Sequence, residues 1–312
     1  MQVDLAQTIT LLKRGIVVAI PTETVYGLAA DASNDKALRQ IYAIKQRPAD
    51  NPLIVHIASA SQVLDFAADF PPLAQKLASA FWPGPFTLVL PAKESISHIL
   101  RGNQPTVALR VPSHPVALQL LRESGLALAA PSANKFTQLS PTTAAHVSAG
   151  LGENIPVLDG GACKVGIEST IVSVEGENWQ LLRLGMVPEA NIHAVAGVPA
   201  LKSNHPLPKA PGQHLLHYSP RTPIKLFTSR DDLNRFTASQ KNCAALIFGE
   251  GALPNCTHFI LPNRPDEAAE RLYDTLHQID FLNADLLLVE TPPITPEWLA
   301  IADRLSRAAH AN

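Results

Sequence analysis

Apolar runs and polar breaks alternate along residues 15–190 of the chain. Short β-branched runs bounded by turn residues predict strands over 17–20, 53–56, 87–91, 107–111, 126–130, 157–158, 169–174 and 179–183. Longer stretches with apolar residues every three or four positions predict helices over 35–45, 61–67, 72–80, 114–124 and 142–149. Leu5, Ile9 and Leu12 predict an amphipathic helix at the start. This alternation predicts an α/β fold with an open twisted sheet and flanking helices. The many short strands of the second half make that sheet mixed. Residues 198–223 break the pattern, with six prolines and no periodicity, and read as an extended linker. A linker of this length is expected to have a task, such as lying across a site. From 224 the alternation resumes, with strands over 224–227, 244–248, 257–261 and 285–289 and helices over 231–239, 265–279 and 295–309. The predicted organisation is a domain over 1–197, a Pro-rich linker over 198–223 and a smaller α/β domain over 224–312. No cluster of catalytic side chains marks the last part, which reads as structural or regulatory.

The first domain centres on residues 17–57. Its first strand stops at Pro21, and Thr22, Glu23, Thr24 and Tyr26 follow, closed by Gly27. Asn34 is placed to cap the helix over 35–45. That helix ends at Lys45-Gln46-Arg47-Pro48, because proline cannot continue it. Asn51-Pro52 then turns the chain into a strand carrying His56. Lys45 and Arg47 beside a proline turn suit an anion: arginine binds phosphate or carboxylate with two prongs, lysine as a point charge. The same stretch also reads as a strand–helix–strand unit whose loops are merely polar.

Composition narrows the options. The chain has 312 residues, 46% hydrophobic and 17% charged, with a formal net charge of −2. That balance is ordinary for a globular protein and argues against one that coats nucleic acid. Cys163, Cys243 and Cys256 are far apart and form no C-x-x-C, so neither a disulfide framework nor a zinc ribbon is expected. A reducing, cytoplasmic setting fits. The N-terminus has an acid at Asp4 and no long apolar core, so no signal peptide is expected, and no apolar run reaches bilayer length. The common phosphate loops are missing. Gly161-Ala-Cys-Lys-Val-Gly166 approaches a P-loop but has Ile167 where lysine is required.

What remains is a set of cations and hydroxyls at strand ends. Thr106 and Arg110 lie four apart on one strand and share a face. Arg110 follows an apolar run, so its charge needs a fixed anion or an internal salt bridge. Ser132 and Asn134 follow a strand at Pro131, as a phosphate cradle or an ordinary turn. Ser140 reads as a helix cap, Ser169 and Thr170 open a strand, and Arg183 ends one. Tyr218 is an aromatic in the linker, able to cover a base.

These motifs, in order, resemble one family. PTETVYGL, then KQRPADNPLIVHI, FWPGPFTLVL, VALRVPSHPVA, APSAN, SPTTA, LDGGACKVGIESTIV and LLRLG follow the pattern of the YrdC-type threonylcarbamoyl-AMP synthase family over most of residues 15–190. The resemblance implies a YrdC-like catalytic domain and, in the family's long form, a small Rossmann-like C-terminal domain after a linker. It implies that L-threonine, bicarbonate and ATP with Mg²⁺ give threonylcarbamoyl-AMP and pyrophosphate, with no resident metal site. The product would pass to a tRNA threonylcarbamoyltransferase complex for modification of an adenosine next to the anticodon. It implies that Thr24, His56, Arg110, the backbone of Ala130 and Ser169 hold threonine. Arg47, Asn51, Thr106, Ser132, Ser140, Arg183 and Tyr218 would contact ATP, and Lys45 would face the phosphates with Arg47. The chain departs from the family pattern at 135–139 and at 213–216. Two other readings are a double-stranded RNA or ribosome-binding module, of which a weak RNA contact would be a remnant, and a carbamoyl-transfer module of hydrogenase maturation. The near-neutral charge disfavours the first and the cysteine count the second.

Overall fold

A computed structural model describes residues 1–201, 208–212, 218–253 and 256–309. The first part carries ten strands: β1 (Gln2–Val3), β2 (Val18–Ile20), β3 (Gly27–Asp31), β4 (Ile54–His56), β5 (Phe86–Pro91), β6 (Thr106–Arg110), β7 (Leu128–Ala129), β8 (Val157–Leu158), β9 (Thr170–Glu175) and β10 (Asn178–Arg183). They form one sheet in the order β1-β8-β2-β3-β7-β4-β6-β5-β9-β10. The sheet is mixed: β4–β6 and β5–β9 are parallel, while β5–β6 and β9–β10 are antiparallel.

The helices follow their local signals. Helix α1 (Leu5–Lys13) opens on a capping box between Asp4 and Gln7. Helix α2 (Asp35–Lys45) is capped by Asn34 and ends where Gln46 turns left-handed. Strand β3 was not predicted, because Gly-Leu-Ala-Ala-Asp has little strand preference. Pairing supplies what propensity lacks: Val18 faces Ala29, Ala30 faces Ala129, and Leu28, Ala29 and Ala30 are fully buried. The strand expected over 126–130 pairs only at Leu128–Ala129. The segment 61–67 splits into a 3-10 turn, Ala60–Gln62, and one helical turn, Val63–Phe66. Helices His98–Arg101 and Glu189–Ala196 were not predicted.

One face of this sheet matters most. Ile54 pairs with Ala108 and His56 with Arg110, while Val89 pairs with Ala108 and with Ser173. Paired residues share a face, so Thr106, Ala108 and Arg110 run along it beside Ile54, His56, Val89 and Ser173. Its middle is apolar, and Ala210 of the linker is seated there with Ile54, Val89, Ala108, Ile171 and Leu182. Lys209, the preceding residue, reaches Asp50 at 2.8 Å. The departures at 213–216 lie outside the described residues.

The second sheet has four parallel strands, β11 (Ile224–Phe227), β12 (Cys243–Phe248), β13 (Thr257–Leu261) and β14 (Leu286–Glu290), in the order β11-β14-β12-β13. Helices Arg230–Thr237, Pro265–Phe281 and Leu299–Ala309 cover it. Its core is not closed on itself: Val25, Leu139 and Ile167 of the first part pack into it. Gly166, at φ +78°, marks the closest approach, since a Cβ there would stand 2.2 Å from the Ala269 carbonyl oxygen. The loop before β9 thus rests on helix Pro265–Phe281. Among the described residues no helix is long and apolar enough to cross a membrane.

Candidate functional site

The ends of β4 and β6, the turn after β2 and the loop before β9 converge on one cavity of about 40 Å³. Arg110 ends β6 and is buried. Its Nη2 donates to Glu23 Oε1 at 2.6 Å, Nη1 to Thr24 Oγ1 at 3.0 Å and Nε to the Gly84 carbonyl at 3.1 Å. The internal salt bridge is therefore present, and the same guanidinium lines the cavity. Burial would raise the Glu23 carboxyl, but the Arg110 charge and the hydrogen bonds from Arg110 and the Glu23 and Ser113 backbone together hold it below the ordinary range. Thr22 Oγ1 and Thr24 Oγ1 stand 2.9 Å apart. Glu23 Oε2 and His56 Nδ1 are buried and, among the described residues, have no hydrogen-bond partner. Such groups beside an arginine suit a small zwitterion with its own polar atoms.

Burial, helped by the Arg110 charge, pushes the His56 imidazole down to about 3. The unfolded chain takes up this proton below about 6.5 and the folded chain does not. Stability therefore falls as pH drops from about 6.5 toward 3, by roughly 2 kcal/mol at about pH 5 for this group. Thermal melts at pH 7 and 5 should show the decline, and His56→Asn should shrink it.

The other end of the cavity is cationic. Arg183 donates to the Ser169 carbonyl and hydroxyl, both at 3.0 Å, and to the Pro211 carbonyl at 3.1 Å. Arg47 donates to the carbonyls of Pro52 at 2.9 Å and Asn51 at 3.3 Å. Burial lowers its pKa to about 10, so it stays charged at neutral pH. Among the described residues neither arginine forms an ion pair. Glu168 lines the same cavity. Burial would raise it, but Arg304 and Arg183, with the Ser140 hydroxyl, hold it below the ordinary carboxylate range. Pro211, Gly212 and Tyr218 of the linker close this end.

Thr24, Arg47, His56, Arg110, Ala130, Ser132, Ser169, Arg183 and Tyr218 are thus brought to one cavity. Four predicted residues are not. Thr106 shares the face of Arg110 but opens β6, and four residues of strand span about 13 Å. It lines a separate groove with Val89, Pro91, Ser173 and Gln180, on the far side of Ala210. Ser140 turns its hydroxyl onto Glu168 Oε1 at 2.5 Å. It caps no helix, since Thr143 does so for Ala144–Leu151. Asn51 contributes through its carbonyl to Arg47. Lys45 is 1% exposed, with Nζ 2.5 Å from the Ser132 carbonyl and 2.6 Å from that of Asn134. Burial drives its pKa well below the ordinary lysine value, with Arg47 adding to the effect. Lys45 therefore supports the 131–134 loop from beneath and does not reach the cavity. Conversely, sequence reading missed Glu168, Gly212 and Arg304. An acid in Gly-Ile-Glu-Ser-Thr was a signal for the first. The signal for Arg304 was its spacing with Ile301, Leu305 and Ala308 on the buried side of its helix.

A family model covering Sua5, YciO and YrdC, described as "Telomere recombination", matches residues 10–185. A second, "Threonylcarbamoyl-AMP synthase, C-terminal domain", matches residues 187–310. The chain is 38% identical over 321 aligned positions to the threonylcarbamoyl-AMP synthase of Bacillus subtilis, covering 98% of this chain and 93% of that protein. It is 37% identical to the Pyrococcus abyssi protein of the same name, covering 96% and 92%. The crystal structure of P. abyssi Sua5 complexed with L-threonine superposes with a TM-score of 0.89 at 35% identity, covering 98% of this chain and 94% of that one.

Proposed function

The chain belongs to the two-domain Sua5 family of threonylcarbamoyl-AMP synthases, an enzyme family, and on that premise we propose that it converts L-threonine, bicarbonate and ATP to threonylcarbamoyl-AMP and pyrophosphate. The observation that carries this reading is the polarity of the cavity. An arginine with hydroxyls and a neutral imidazole lies at one end, and two arginines that have no carboxylate partner among the described residues lie at the other.

Threonine's carboxylate would take the remaining N–H groups of Arg110, with Thr24, His56 and Ser169 around its amine and hydroxyl. The amine and bicarbonate give N-carboxy-threonine with loss of water. A carboxylate oxygen then bonds to the α-phosphorus of ATP, the bond to the β-phosphate bridging oxygen breaks, and pyrophosphate leaves. No side chain becomes covalently attached. Arg47 and Arg183 would offset the charge on the phosphates, and alignment supplies the remainder. Mg²⁺ would arrive with the nucleotide. The product would feed the threonylcarbamoyl modification of tRNA.

Pro211, Gly212 and Tyr218 of the linker line the nucleotide end of the cavity, and 208–212 with Tyr218 would act as a lid that excludes water from a labile product. Gly212 sets the fit: at φ +86°, a Cβ would stand 2.4 Å from the Tyr218 hydroxyl and 2.9 Å from Arg183 Cδ. Overpacking of this kind costs about 1–3 kcal/mol. Gly212→Ala should therefore raise KM for ATP several-fold while threonine binding is retained, read by steady-state kinetics and calorimetry.

The deciding assay incubates the protein with ATP, bicarbonate and labelled threonine. Pyrophosphate release should require both threonine and bicarbonate, and Tyr218→Ala should weaken use of ATP. Release that ignores threonine sinks the proposal.

A further inference from the structure

Glu168 stands in the same cavity as the buried Arg47, Arg110 and Arg183, yet among the described residues it pairs with none of them. Arg304 of the last helix donates Nε to Glu168 Oε2 at 2.8 Å. Tyr273 donates its hydroxyl to the same carboxylate at 3.1 Å, and Ser140 donates to the other oxygen. Two of these three donors come from the C-terminal domain. Arg304 is itself fixed: it is 1% exposed, Nη2 donates to the Leu184 carbonyl at 2.9 Å, and Nη1 to Asp303 at 2.8 Å. Its guanidinium lies 4.8 Å from the Tyr218 ring centroid. The loop that carries Glu168 is pressed onto the same domain at Gly166.

The electrostatic alternative is plain. A buried carboxylate deprived of its partner turns to the nearest cation or takes up a proton. Of the cations facing the cavity, Arg110 is already paired with Glu23, while the hydrogen bonds of Arg183 and Arg47 go, among the described residues, to carbonyls and one hydroxyl. Turning to either of these two arginines would bring a carboxylate where phosphate charge has to sit.

We propose that Arg304 is a positioning residue for the nucleotide: it holds Glu168 toward the C-terminal domain and so leaves Arg183 and Arg47 available to a triphosphate. The C-terminal domain is thereby part of the active site, acting through one carboxylate. The proposal rests on the synthase reading only in taking ATP as the ligand.

The test uses the full chain and measures KM for ATP and for threonine separately, with melting temperature alongside. Arg304→Met should raise KM for ATP about tenfold and leave that for threonine within about twofold. Arg304→Lys should recover part of the loss, keeping the charge without the two-pronged geometry. The discriminating variant is R304M/E168Q. Without the carboxylate charge there is nothing to hold away from Arg183, so its KM for ATP should match that of E168Q. A double variant about tenfold weaker for ATP than E168Q, or an Arg304→Met enzyme whose two KM values rise together, overturns the proposal. Should Arg304→Met fail to fold, the E168Q comparison decides alone, since the double variant leaves no unpaired buried charge. If the wild-type chain releases no pyrophosphate with threonine, the synthase reading fails. Calorimetric ATP binding by the same variants still decides the role of Arg304.

Discussion

Arg110→Met is expected to lower threonine-dependent pyrophosphate release by about a thousandfold and to cost about 3–5 kcal/mol of stability, by two separate routes. The stability loss comes from Glu23. Its carboxylate is buried and its ion pair is Arg110, at 2.6 Å. Removing one partner of a buried pair strands the other, and marginal proteins have only about 5–15 kcal/mol in all. The activity loss would come from the proposed substrate, whose carboxylate would lose a two-pronged donor that Gly84, Thr24 and Glu23 hold in place. The double variant R110M/E23Q separates the routes. It should regain most of the melting temperature, because no charge is stranded, and almost none of the activity. A double variant with restored turnover would show that Arg110 serves only the fold.

Lys45→Met is expected to reduce kcat/KM by about a hundredfold, through displacement of a loop rather than loss of a phosphate contact. Lys45 Nζ is surrounded by the carbonyls of Ser132 and Asn134 and by Asn134 Oδ1 at 3.4 Å. Its own backbone carbonyl accepts from Phe136 at 2.7 Å. Methionine fills the volume but leaves two buried carbonyls without donors, each costing about 1–3 kcal/mol. Pro131 and Ser132, which line the cavity, then shift. Lys45→Arg decides between the two roles. A lysine facing phosphate is well replaced by arginine, whereas a site with 1% exposure has no room for a guanidinium. Lys45→Arg should therefore be nearly as impaired as Lys45→Met. An arginine variant with wild-type KM for ATP would return Lys45 to the phosphates.

Much of the fold was legible. Strands β2, β4, β5 and β6 and helix α2 carried their own apolar periodicity, and Asn34 and Pro48 fixed the ends of α2. Strand β3 was hidden because its alanines have no strand preference of their own and are held by pairing and burial. Within the site, Arg110 and Arg183 were legible as charges ending apolar strands. Thr106 was placed on the correct face, but face alone does not give distance along a strand, and the linker at Ala210 divides that face.

The order of motifs from Pro21 to Gly185, by itself, determined the family and the chemistry to look for, because residue type and spacing are properties of the chain. Which cations line the cavity was decided only by tertiary structure. Lys45 and Arg47 are two residues apart, yet one is spent on carbonyls beneath a loop and the other lines the cavity. Arg304, 136 residues from Glu168, sets where that carboxylate points. Burial and partner choice depend on elements that come together only when the chain folds, so no local pattern encodes them.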